Sequence, residues 1–284
     1  MRIIDFETIL AQSLQLCGLD RTNLSLETFE QFRDFANMRL KFGFEYDVWP
    51  QLVRTTKMAV VHQNDKHFIL IPADGTVITD EGTLKVDVGT VLNVSLLDPR
   101  ATGKLNEVNF ALDEYEVQVA AGIFRDQERI LINDATAAFA YVTYRIDCPE
   151  LVGNLWPTGT YYKDQQVYWA YAPNKYFAPT TGSSYAGKKG NFWKCIMSAG
   201  TTEAPNLNNN TIPASTDKWE KVRIPLFLGN YIIKGIHSDW LRSEMQIEYA
   251  QALEREAMAV LDFEVQKAIV QQGFQPRLKF NQTY

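Results

Sequence analysis

The chain has three histidines, and they are the first residues to test for chemistry. His62 and His67 flank the polar run Gln63-Asn64-Asp65-Lys66. Imidazole is the commonest protein ligand for zinc-like cations, but no third ligand stands near this pair, so the spacing of a zinc site is not met. Both read as exposed residues at strand ends. The third, His237, precedes Ser238 and Asp239, which together have the residue types of a hydrolytic triad. Members of a triad must converge from separate elements, so Ser238 reads instead as the N-cap of the last helix. Glycan or peptidoglycan hydrolysis would need two carboxylates about 5 to 9.5 Å apart in a cleft, and nothing in the sequence nominates a pair. Phosphate-binding, dinucleotide-binding, zinc-protease and serine-hydrolase motifs are all missing. The expectation is a protein that is not an enzyme and takes no cofactor or metal.

Binding chemistry is better represented. Tyr161, Tyr162, Tyr168, Trp169, Tyr171, Trp193 and Trp219 crowd one stretch, and flat aromatic faces stack on sugar rings much as they stack on bases. Tyr162, Trp169, Trp193 and Trp219 are the candidate glycan-stacking residues. A module this small must also bury aromatics to fold, so most of the set is expected in the core with one or two exposed. Asp98-Pro99-Arg100 reads as a charged turn that could sit at a subunit contact.

The elements that would position these residues follow from periodicity. Asp5 is placed to cap a helix over Phe6–Leu16, with Gly18 as its stop. Asn23 or Ser25 can cap a second helix running to about Glu45, where Phe29, Phe32, Ala36 and Leu40 share a face widened by Phe35, Phe42 and Phe44. Trp49-Pro50 ends this helical region. From Met58 the period becomes two: Val60–His62 and His67–Ile71 form a hairpin, Val86, Val88, Leu92, Val94 and Leu96 alternate with polar residues, and Tyr115, Val117 and Val119 continue the pattern. Ala138–Ile146 is the strongest strand, although Asp134–Ala138 also fits a helical turn. Residues 154–222 are rich in Tyr, Trp, Gly, Thr and Asn, with seven lysines against four acids. They read as a small all-β module with a long polar loop at Asn206–Thr216. One long helix is expected from Ser238 to about Gln272, with Ile247, Ala250, Leu253, Ala257, Val260, Leu261, Val265 and Ala268 on its apolar stripe.

The fold class expected is therefore α+β: a discontinuous helical hub from the N- and C-terminal helices, with an inserted β arm and a small all-β module. The divisions are 1–57 and 223–284 for the two parts of the hub, 58–150 for the β arm and 154–222 for the module. At 284 residues, with 46% apolar and 22% charged content, the chain can bury about two cores. No apolar run reaches membrane-span length, and Met1–Glu7 is too short and too soon acidic for a secretory signal. Cys17, Cys148 and Cys195 are scattered and read as buried thiols made in a reducing cytosol. The net charge of −6 argues against wrapping nucleic acid and suits a surface past which DNA slides.

Three stretches carry a family likeness. They are the first helix pair with Gly18 and Leu24-Ser25-Leu26-Glu27; Asp98-Pro99-Arg100 followed by the strand Tyr141–Arg145; and the segment Trp240–Ala257, which echoes an "LR..GQ.ekA.aLe.EA" pattern with Met245 where glycine is frequent. On these the chain resembles a phage head–tail adaptor. Residues 154–222 are similar to a chitin-binding-type carbohydrate module: Trp193-Lys194-Cys195, Ala199-Gly200-Thr201, Ala204-Pro205 and Trp219-Glu220 keep its later parts, while Tyr162–Val167 lacks the glycine of its "Y..GD.V". The resemblance implies a self-associated ring of about twelve copies in the virion neck, assembled in the host cytoplasm. It would contact portal and tail or stopper proteins, with encapsidated DNA passing through the lumen unread. It further implies a portal-docking tail carrying Arg277, Lys279, Phe280 and Tyr284, and a ring interface including Asp98, Arg100, Arg242 and Arg255. The alternative it leaves open is a virion protein that binds host or environmental glycans.

Overall fold

The computed structural model describes residues 2–64, 66–72, 75–98, 129–132, 136–155, 159–170, 176–177, 189–202 and 218–271. The expected strand at Tyr115–Val119, the loop Asn206–Thr216, the turn residues Pro99 and Arg100, Tyr171, Asp134 and Ala135, and the four tail residues lie outside them. The chain is mixed α+β and divides into two compact units. The first is built from Met1–Tyr46 and Pro149–Val265, and the second from Asp47–Cys148 with the chain from Gln266 onward.

In the first unit β1 (Ile3–Ile4) leads into α1 (Phe6–Leu16) and α2 (Leu26–Tyr46). Asp5 occupies the N-cap of α1 with extended backbone, but its side chain makes no capping bond and pairs instead with Lys221. The Phe6 N–H donates to Asn191 Oδ1, 185 residues along the chain, at 3.3 Å. For α2 the expected local cap is present, the Thr28 N–H donating to Ser25 Oγ at 3.1 Å. At the far end of α1, Gly18 takes φ +70 while its N–H reaches Gln15 O and the Leu19 N–H reaches Leu14 O. This is the Schellman pattern, whose left-handed residue is usually glycine.

The expected single C-terminal helix is two helices, α3 (Gly229–Ser243) and α4 (Ile247–Gln271). The break is a second Schellman motif: the Met245 N–H bonds Arg242 O at 3.1 Å and the Gln246 N–H bonds Leu241 O at 2.8 Å, with Met245 at φ +61. Ser238 accordingly caps nothing. It lies within α3, fully buried, and its hydroxyl donates to Ala250 O at 2.8 Å, tying α3 to α4. Helices α2 and α3 run antiparallel, since Phe32 meets Trp240 (ring centroids 5.5 Å apart) while Gly43 sits against Leu228 and Tyr231.

The aromatic stretch contributes β10 (Gln166–Trp169), β11 (Asn191–Cys195) and β12 (Trp219–Lys221), an antiparallel sheet in the order β10-β11-β12. It is not a free-standing module. Phe6 of α1 packs on Phe192 (4.9 Å) and Tyr168 (6.0 Å), and Phe29 of α2 stacks on Tyr176 (4.3 Å). Asn37 grips the entry to the sheet by exchanging two 2.8 Å hydrogen bonds with the Leu151 backbone. After β12, β13 (Ile224–Pro225) pairs antiparallel with β1, so the start of the chain is held against the segment that leads into α3.

The described part of the second unit is mostly β, with a short 3-10 turn at Pro50–Leu52 before its first strand and the last turns of α4 from Gln266. β2 (Val53–Ala59), β9 (Phe139–Ile146) and β7 (Val88–Ser95) form one antiparallel sheet with β9 central. β3 (Val61–Gln63), β4 (Lys66–Leu70) and β8 (Arg129–Leu131) form a second, and β5 (Thr76–Thr79) with β6 (Gly82–Lys85) a hairpin. Met58, Ile69, Val77, Val94, Ile130, Ala140, Val142 and Tyr144 close the core. Strict alternation along β7 would put Leu92 inward beside Val94. Register shifts at Val88/Thr90 and Val91/Asn93 bring Val91 onto the core instead, because a bulge sets two residues against one.

Candidate functional site

The densest group of charges lies inside the first unit, where α2, α3 and α4 meet. Arg39 sits on the apolar stripe of α2, three residues after Ala36 and seven after Phe32, so the packing of that stripe carries a guanidinium inward. Its Nε and Nη2 donate to the two oxygens of Asp239 at 2.7 and 2.6 Å, and its Nη1 and Nη2 to the two oxygens of Glu254 at 2.7 and 2.6 Å. The Arg39 side chain is 6% exposed, Asp239 4% and Glu254 25%. Arg242 approaches the same carboxylates at 3.8 and 3.5 Å from a more exposed position. Space for the guanidinium depends on Gly235, where a Cβ would stand 2.6 Å from Arg39 Cδ and 2.7 Å from Nε.

Burial on its own would lower the Arg39 pKa, but the hydrogen bonds to Glu254 and Asp239 outweigh it and raise it. The Arg39 hydrogen bond likewise holds the Glu254 carboxyl below the ordinary carboxylate range, against the opposing effect of burial. Catalytic acid work needs a carboxyl that keeps its proton near neutrality, and Glu254 is pushed the other way. Charged bidentate pairs of this kind fix geometry. The cluster pins three helices together.

The histidine beside this cluster is not part of a triad. Ser238 is committed to Ala250 O and Asp239 to Arg39, and burial lowers the His237 pKa. Burial also pushes the Cys17 thiol up to about 12, which keeps it protonated and unreactive. Of the candidate ring residues, Arg242 is engaged with Asp239 and Glu254, Arg255 is exposed on α4, and Asp98 follows the end of β7.

The candidate stacking residues separate by burial. Trp193 and Trp219 each retain 6% exposure in a core cluster with Val167 and Cys195. Trp169 and Tyr161 pack against the same cluster, Tyr161 and Trp219 with ring centroids 5.5 Å apart. Tyr162 alone of the four is open, at 56%. A sugar platform needs an accessible face, and two of its four candidates have none to offer.

In the second unit His62 and His67 are direct cross-strand partners on the β3–β4 hairpin, with Nδ1···Nδ1 at 2.7 Å and His62 Nε2 at 3.1 Å from Ala137 O. The sequence placed them at strand ends but did not show that the rings touch. Among the described residues no group of three or more His, Cys, Asp or Glu could hold a metal ion, and no helix is long and apolar enough to cross a membrane.

In comparison with known proteins, no family model, no curated protein and no solved structure matches the chain.

Proposed function

We propose that this chain is a structural adaptor of a phage neck, a ring-forming subunit between portal and tail that surrounds the DNA channel and performs no catalysis. In this reading the helices drawn from both ends of the chain form the hub of the ring, and the second unit is an arm. The observation that carries it is the surface of α4. Ala250, Ala257 and Leu261 are the buried residues of its stretch within the first unit, a narrow stripe, while Ile247, Tyr249 and Phe263 stay 48%, 72% and 56% exposed. Large aromatics held in water on a long regular helix suit a surface that a partner covers. A ring needs two different patches per subunit, and α2 supplies the second with Met38 at 52% and Phe42 at 47% exposure. The sealed Arg39 cluster supports the same reading, since it stiffens the helices on which both patches lie. The net charge of −6 suits a channel wall that does not hold DNA.

Native mass spectrometry and negative-stain microscopy of the purified protein, alone and mixed with portal protein, test this. Closed rings are expected, and Tyr249→Asp with Phe263→Asp should shift the population to single subunits that keep their helical circular dichroism. A wild-type chain that stays a single subunit under both conditions overturns the reading.

A further inference from the structure

The hairpin β3–β4 carries a feature that a structural arm does not require. His62 and His67 face each other across the strands, and their Nδ1 atoms lie 2.7 Å apart. Two neutral imidazoles can make that contact only if one Nδ1 carries a hydrogen and the other a lone pair. The tautomers are assigned by the third contact. The Ala137 carbonyl 3.1 Å from His62 Nε2 can only accept, so Nε2 holds the hydrogen and His62 Nδ1 presents its lone pair to His67. An imidazole that donates one ring N–H to a backbone carbonyl while its other nitrogen points at a shared centre is the arrangement by which proteins orient metal-binding histidines.

We propose that His62 and His67 form a two-imidazole site for a borderline divalent cation such as Zn²⁺ or Ni²⁺. Binding moves the His67 hydrogen from Nδ1 to Nε2, so both rings stay neutral and two lone pairs converge on the ion. With zinc–nitrogen bonds of about 2.0–2.1 Å and a tetrahedral angle, the two nitrogens must stand roughly 3.3 Å apart. The present separation of 2.7 Å has to open by about 0.6 Å, within reach of a side-chain rotation at an exposed hairpin. Since no third protein ligand stands among the described residues, water completes the coordination shell. The ion clamps β3 to β4 and, through the Ala137 contact, to the residues that precede β9.

The test uses untagged, chelator-stripped protein titrated calorimetrically with ZnCl₂ and with NiCl₂. One ion per chain is expected, with affinity lowered at least tenfold in His62→Gln and in His67→Gln and unchanged in His237→Gln. Because the chain has three histidines, this set covers them all. Ring-nitrogen NMR of the wild-type protein supplies a readout that needs no variant: on binding both Nδ1 resonances should move, His62 Nε2 should keep its hydrogen and His67 Nε2 should gain one. Absence of uptake, uptake that survives in His62→Gln and His67→Gln, loss in His237→Gln, or ligation through Nε2 would each overturn the proposal.

Discussion

Replacing Arg39 by methionine keeps the bulk of the side-chain stem and removes the charge, which isolates what the guanidinium does. Four charged hydrogen bonds disappear, two to Asp239 and two to Glu254. Their summed strength is not the cost, because water would satisfy the same groups in the unfolded chain. What decides the magnitude is the partner left behind. Glu254, 25% exposed, can turn toward solvent, but Asp239 at 4% cannot, and Arg242 at 3.8 Å from a half-exposed position compensates weakly. Stranding one buried charge costs about 3–5 kcal/mol, a large part of the 5–15 kcal/mol typical of a folded protein. Urea unfolding followed by far-UV circular dichroism measures it. Arg39→Met combined with Asp239→Leu should cost less than the sum of the two single changes by about 1–3 kcal/mol. Gly235→Ala probes the same spot without touching a charge. Within a helix that change ordinarily gains about 1 kcal/mol, whereas here the new Cβ meets Arg39 Cδ at 2.6 Å, and a net loss is expected. If Arg39→Met cost less than about 1 kcal/mol, the value of an exposed ion pair, the cluster would not be sealed from water and the reasoning would fail.

Met245→Gly should stabilise the first unit by roughly 0.5–1 kcal/mol, because relief of a left-handed conformation worth about 1–2 kcal/mol exceeds the added freedom of glycine in the unfolded chain. Met245 is 85% exposed and loses almost no burial, and a lowered urea midpoint would contradict this. The mirror change, Gly18→Ala at φ +70 with open space around the added Cβ, should destabilise by about 1 kcal/mol through backbone strain alone. Trp219→Ala, at 6% exposure in the β10–β12 core, should cost about 3–5 kcal/mol and broaden methyl NMR signals of that sheet; a variant as stable as the parent would mean the indole is a surface residue. Acidification should weaken the fold in two stages. Burial holds His237 below its ordinary 6.5, so the unfolded chain takes up that proton first and stability falls as pH drops through and below 6.5. Glu254, depressed by its Arg39 hydrogen bond, contributes stability above 4.5 that is lost as pH falls through its lowered value. Unfolding free energies measured from pH 7 to 3 check the order, and stability that rose on acidification would contradict both signs.

Short-range order was legible in the residues themselves. Phe6–Leu16 is the helix found, Ser25 caps α2, Gly18 terminates α1, and the aromatic, β-branched run at 138–146 became the central strand β9. Each of these depends on a period or a cap spanning a few residues, and the backbone preferences that enforce them act over that range. The pattern failed where a distant partner outbid a local one. Asp5 surrendered its capping role to Asn191, and the helix expected to run on from Ser238 breaks at Met245, which takes a conformation its side chain resists. The bulges in β7 turned Val91 inward because β9 set the register. Arg39 on an apolar helix stripe was a visible anomaly, but its acids lie 200 and 215 residues away. Nothing local could say which carboxylates would meet it, nor that His62 and His67 would touch. Local periodicity dictates which face of an element is apolar, and only closure of the chain on itself dictates what that face is pressed against.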